Sequence, residues 1–182
     1  MAKQINSYKK VLKAIVWIGM SSFLLVGCSK EQKNEINQTG TIQEQNNGYY
    51  FVYDEMEIEI DMPAKEVLEN LGHYKTYFEA QSCAIDSIIR TYGYGNFEID
   101  TYELDEKEYI SSIFFKDDTI TTKEGAFLFM DKERLFELYG KDYVEEAGMF
   151  VYYKDKMKLK FLISEDEVVS IQYASLVTEV KQ

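Results

Sequence analysis

Apolar and polar positions alternate along most of the chain. Met157, Leu159, Phe161 and Ile163 are spaced by two, with Lys158 and Lys160 between them. That is the pattern of a strand with one face buried. Met56, Ile58 and Ile60 alternate with Glu57 and Glu59 in the same way. Similar patterns predict strands over residues 50–53, 91–94, 97–102, 109–115, 150–153 and 168–173, and residues 127–129 are strand-like. Turn residues separate them: Asp54-Glu55, Gly95-Asn96, Asp105-Glu106-Lys107, Lys154-Asp155 and Ser164-Glu165-Asp166-Glu167. Connections this short predict an antiparallel meander. A second period appears once clearly. Ala64, Val67, Leu68 and Leu71 lie at i, i+3, i+4 and i+7, with Pro63 opening a helix and Gly72 closing it. Residues 74–89 hold neither period and read as a looser stretch.

The helix pattern recurs. Residues 130–140 repeat residues 62–72 at an offset of 68, so that Leu135, Phe136, Tyr139 and Gly140 stand where Val67, Leu68, Leu71 and Gly72 stood. Ile110-Ser111-Ser112-Ile113 likewise matches Val168-Val169-Ser170-Ile171. Two copies at so long a period indicate a duplication rather than a solenoid. The expected fold is α+β, with two tandem strand–helix–three-strand repeats whose helices pack on antiparallel sheet. The first repeat would span residues 49–117, with an insertion around Cys83, and the second residues 118–182. Leu68 and Phe136 are expected in equivalent buried positions.

The start of the chain changes the picture. Lys3, Lys9, Lys10 and Lys13 precede an apolar run over residues 14–26, and no acid appears before Glu31. The run is shorter than the 20 or so apolar residues of a spanning helix and has the layout of an export signal. It ends in Leu25-Val26-Gly27-Cys28 followed by Ser29, which looks like the lipobox of a bacterial lipoprotein. Residues 1–27 are expected to be removed and Cys28 to carry a thioether-linked diacylglycerol. Residues 28–48 are then a polar tether with two aliphatic residues, spanning roughly 25 Å as a flexible coil. The chain would sit on the outer face of the cell membrane, in a Gram-positive bacterium.

Charge narrows the partners. The 182 residues carry 20 basic and 32 acidic side chains, a net charge of −12. Losing residues 1–27, with four lysines and no acid, would leave −16. Such a surface repels phosphate backbones, so nucleic acid is excluded as a partner. The expected partners are the bilayer, through the diacylglycerol, and another extracytoplasmic protein. With Cys28 lipidated, Cys83 has no thiol to pair with. Its apolar neighbours Ala84, Ile85, Ile88 and Ile89 predict a buried, slowly reacting thiol.

Three segments carry a family resemblance. They are Gln81-Ser82-Cys83-Ala84-Ile85, Phe97-Glu98-Ile99-Asp100-Thr101-Tyr102, and Asp117-Asp118-Thr119-Ile120-Thr121-Thr122-Lys123-Glu124-Gly125. They resemble segments of an uncharacterised family of small clostridial surface lipoproteins, in which Phe is commoner where Ile85 stands. The family has no assigned activity, so the resemblance implies location and fold alone. Its repeat architecture is similar to that of the β-lactamase-inhibitor protein and of the outer-membrane assembly lipoprotein BamE, both of which bind other proteins.

Candidate chemistry is sparse. Cys83 and His73 are the one pair able to serve as nucleophile and base, and a single His rules out HExxH and other His-rich zinc sites. The clusters Asp54-Glu55, Asp117-Asp118 and Glu165-Asp166-Glu167 lack calcium-loop spacing and read as solvated turns. No catalytic residue, metal ligand or cofactor is assigned. Fifteen Tyr and eleven Phe invite a stacking surface, for which Tyr49, Tyr50, Phe51, Tyr152 and Tyr153 are the candidates. The expected role is a protein-interaction or inhibitor-like module rather than an enzyme. The alternative is a solute- or cell-wall-binding lipoprotein, which needs a concave apolar pocket.

Overall fold

A computed structural model describes residues 48–178. The export signal, Cys28 and nearly all of the tether lie outside the described residues. A hairpin comes first, β1 (Tyr50–Tyr53) against β2 (Met56–Glu59), turning on Asp54 and Glu55, both at positive φ. After α1 (Ala64–Leu71) come β3 (Thr76–Gln81), β4 (Ile88–Gly93), β5 (Phe97–Leu104) and β6 (Lys107–Phe115). A loop over residues 116–131 leads to α2 (Lys132–Tyr139). Then follow β7 (Val144–Glu146), β8 (Met149–Lys154), β9 (Met157–Ser164) and β10 (Glu167–Ser175). Eight of these strands form one antiparallel sheet in the order β3-β4-β5-β6-β10-β9-β8-β7. Neighbours in the chain are neighbours in the sheet, except at the central seam where β6 meets β10.

The expected α+β class is therefore corrected: this is a β-rich fold. Half of the structure is strand and 12 % is helix. Each helix has eight residues, two turns, and fully buries only Ala64 and Val67 in one case and Leu135 in the other. Two turns cannot cover eight strands. The inner face of the sheet is instead filled from the hairpin by Phe51 and Ile58, and from the loop by Ile120, Ala126, Leu128 and Met130. Facing them are Phe97, Ile99, Ile113 and Phe115 from the first half of the sheet and Leu159, Phe161, Ile171 and Tyr173 from the second, all at most 1 % exposed. The strand–helix–three-strand unit is corrected as well. Residues 127–129 are not a strand, and β3 and β7 give each half a helix followed by four strands. Leu68 and Phe136 are half-buried rather than buried.

The two halves nonetheless repeat each other's backbone bonds. The N–H of Asp61 donates to Ile110 O and that of Ile110 to Met62 O (2.8 and 3.0 Å), while Phe129 donates to Val168 O and Val168 to Met130 O (2.7 and 3.0 Å). Gly72 and Gly140 end the helices at φ 74° and 77°, each donating to the carbonyl four residues back. Bulges at Ser111 and Val169 occupy matching places in β6 and β10. Asp61 and Phe129 share a left-handed φ, 65° and 72°. An aromatic residue pays for that geometry, since the left-handed region costs about 1–2 kcal/mol except for Gly and, in part, Asn and Asp. Phe129 is also 57 % exposed and gains little from packing. Phe129→Asn should raise stability by about 0.5–1 kcal/mol in urea unfolding. A loss of stability would show that the ring is held by contacts worth more than the strain.

Candidate binding face of the first half

Matching the halves through Ile110 and Val168 shows where they diverge. Ile99 then corresponds to Phe161 and Tyr92 to Phe150, since each pair sits opposite in its own ladder. Two residues further out the second half stops, at the Ala147-Gly148 turn between β7 and β8. The first half continues. Arg90 lies opposite Thr101 on one side and Glu79 on the other, and Glu103 lies opposite Glu108. The sequence insertion around Cys83 thus makes β3 six residues long against three in β7 and carries β4, equal in length to β8, further out at this end, an extension that the other half lacks here.

That extension is polar on its inner side. The Arg90 guanidinium donates to Glu103 at 2.8 Å and lies 3.6 Å from Glu79. The hydrogen bond to Glu103 raises the Arg90 pKa further. Tyr92 donates to Glu108 at 2.9 Å, and the Thr101 hydroxyl donates to the same carboxylate. Burial first, then this bond to a carboxylate, pushes the Tyr92 phenol well above its ordinary pKa. Tyr77 donates to Glu79 at 2.5 Å, which raises its phenol too. Three carboxylates thus surround one guanidinium. An open cleft of about 670 Å³ between α1 and the β5–β6 turn runs up to Glu108, with Leu68, Lys65 and Lys107 on its walls.

The aromatic residues follow the same contrast. In the second half Phe136 of α2 stacks on Tyr143 and Tyr143 on Phe150, with ring centroids 5.7 and 4.1 Å apart. In the first half Leu68 takes the place of Phe136 and does not close such a stack. Tyr74, Tyr77 and Tyr92 instead pack on one another at 5.3–5.6 Å, and Tyr74 and Tyr77 remain 40 % and 44 % exposed. Phe78 points to the other face and is 66 % exposed. It heads a row across the outer side of the sheet through Thr91, Asp100, Ser112, Ala174 and Lys158 to Tyr153. Asp100 accepts from Thr91 and Ser112 at 2.6 and 2.8 Å in the middle of that row.

The residues chosen from sequence are scattered. Phe51 and Tyr152 are removed from the expected surface: they are 0 % and 4 % exposed, because their alternation turns them inward onto Phe97 and Phe161. Tyr49 and Tyr50 are half-buried under Lys154 and Lys123, whose ammonium groups lie 5.0 and 3.7 Å from the rings. Tyr153 is exposed and donates to Glu146. His73 and Cys83 flank β3 at opposite ends, and six extended residues hold them about 20 Å apart. No nucleophile–base pair forms between them. The acidic clusters lie where expected, in the β1–β2 and β9–β10 turns and just after β6.

Cys83 itself corrects an expectation, since it is exposed. It sits in the β3–β4 loop, where the Ser82 hydroxyl accepts from the N–H groups of Ala84 and Ile85 and curls the chain outward. A maleimide should modify Cys83 without denaturant, and Cys83→Ser should change stability by less than about 0.5 kcal/mol. Labelling that requires urea would restore the buried thiol.

No motif or period in the sequence marks Tyr74, Tyr77, Phe78, Glu79 and Arg90 as members of one face. The signal available was length: the offset between the copies falls from 68 at the helices to 58 at the final strands, so ten extra residues must lie between them in the first copy.

Comparison with known proteins adds little here. No protein-family model matches the chain, and no curated protein matches it in sequence. It is loosely similar to a solved structure of an extracellular protein containing an SCP domain from Bacillus anthracis str. Ames, with a TM-score of 0.40 and 9 % identity over 81 % of this chain. The chain spans half the length of that structure. A likeness at this level fixes neither family nor function. Among the described residues no helix is long and apolar enough to cross a membrane.

Proposed function

We propose that this protein is an extracytoplasmic lipoprotein, anchored through Cys28, whose folded part binds another protein rather than catalysing a reaction. The observation that carries the reading is the divergence of the two halves. One seals its aromatic cluster with Phe136 and ends its sheet early. The other extends its sheet, leaves Tyr74, Tyr77 and Phe78 exposed, and lines the extension with Arg90, Glu79, Glu103 and Glu108. Exposed aromatic residues and an arginine with a polar border are the composition of an interaction surface. The cleft beside it is open and bordered by charged side chains, which suits a solute receptor less well.

A site-specific photocrosslink tests this. Phe78 and, as a control in the other half, Val144 (51 % exposed) are each replaced by a photoreactive phenylalanine analogue in the producing cell. A discrete protein adduct should form from position 78 and not from position 144. Absence of any adduct at 78, or the same adducts at both positions, would overturn the reading.

A further inference from the structure

The strand at the border of the extension is unpaired on one side. Among the described residues no strand pairs with the outer side of β3, the outermost strand of the sheet. The Ser82 N–H donates to Ser87 O, and the ladder alternates from there. Residues 76, 78 and 80 therefore bond to β4, and the N–H and C=O groups of Tyr77, Glu79 and Gln81 face the open edge. Proteins ordinarily blunt such an edge with Pro, Lys, a bulge or brevity. The opposite edge, β7, is three residues long. By contrast β3 is Thr76-Tyr77-Phe78-Glu79-Ala80-Gln81, six residues in unbroken register with no Pro, Lys or bulge, and Glu79 is the one charge along it. All six are exposed.

Its two faces differ in chemistry. On the inner side Tyr77 and Glu79 stand beside Arg90, Glu103 and Glu108, three negative charges against one positive, in a chain of net charge −12. On the outer side stand Thr76, Phe78 and Ala80, with Phe78 two-thirds exposed. A strand added here would alternate in the same phase as β3.

We propose that β3 receives an extended segment of a partner protein as a ninth strand, and that this segment alternates basic residues, turned toward Glu79, with apolar residues packed beside Phe78. This rests on the protein-binding reading and names the partner's chemistry. Main-chain hydrogen bonds would hold the segment and the alternating contacts would select it. A second copy of the chain fits the edge less well, because it brings another −12 and sets its own acidic inner side against this one.

The test uses the full-length protein in non-ionic detergent and a labelled octapeptide of alternating Lys and Val, read by fluorescence anisotropy. A blocked peptide, four Lys then four Val, has the same charge and composition. The alternating peptide should bind about tenfold more tightly, because only it matches both faces at once. Methylating the amides that face the edge should abolish the difference without touching the protein. Glu79→Lys should weaken the Lys–Val peptide and admit an alternating Glu–Val one. Equal binding of alternating and blocked peptides, or of methylated and unmethylated ones, overturns the proposal. So does a dimer in sedimentation that Phe78→Ser dissolves, which would assign the edge to a second copy. A photocrosslink at 78 that survives saturating alternating peptide would overturn the ninth strand while leaving protein binding in place.

Discussion

Phe51→Ala should lower the stability of the folded part by about 3–5 kcal/mol, the range for truncating a buried aromatic. Phe51 is fully buried, with ring centroids 5.2 Å from Phe97, 5.3 Å from Phe115 and 6.3 Å from Tyr173. It therefore touches strands on both sides of the central seam. The side chain comes from a four-residue strand in a two-stranded hairpin, which has no stability of its own in water. Removing the ring takes away one of the two fully buried side chains, with Ile58, that hold the hairpin on the sheet. The measurement is the urea midpoint at unchanged slope. Phe78→Ala, an exposed aromatic, is the matched control and should stay within about 0.5 kcal/mol. A loss below about 1 kcal/mol for Phe51→Ala would mean that the hairpin is not part of the core.

The second large effect concerns the proposed anchor. One acyl chain holds a protein to a bilayer only marginally, at about 0.8 kcal/mol per buried CH₂, and stable attachment takes two signals. A diacylglycerol on Cys28 supplies both on one residue. Cells fed labelled palmitate should incorporate it into the wild-type protein, and Cys28→Ala should abolish the label. The variant should then appear in the medium, or stay on membranes with its export signal uncut and a correspondingly larger mass. Wild-type protein that takes up no label would end the lipoprotein reading.

How much of this was legible in the sequence depends on which residues face the core. Strands with one face inward showed themselves through period two, and residues 50–53 and 157–163 coincide closely with β1 and β9. The helices were placed by their closing glycines. The failure falls on β3 and β7. Every residue of β3 is exposed, so solvent meets both of its faces and selection for alternation vanishes. The extension was invisible for the same reason, since Arg90, Glu103 and Glu108 owe their arrangement to cross-strand pairing rather than to spacing. Phe51 and Tyr152 show the converse. An aromatic run such as Tyr49-Tyr50-Phe51 gives no sign of which ring turns inward until the partner strand fixes the register. The class is not legible because two helix patterns suggest a layer, whereas the loop residues Ile120, Ala126, Leu128 and Met130 carry that part of the core without any period.

The seam between β6 and β10 also sets the order of events as the chain folds. Every other pairing in the sheet joins strands adjacent in sequence, of the kind that closes in microseconds. The seam joins Ser112 to Ala174, and that loop must close before its contacts repay the entropy. A chain made from its N-terminus completes β3–β6 well before β10 exists. For that interval the first half has two free borders, β3 and β6. Among the described residues only β6 is later covered, by β10, so β3 is an open border from the outset and stays the longer of the two that the sheet keeps.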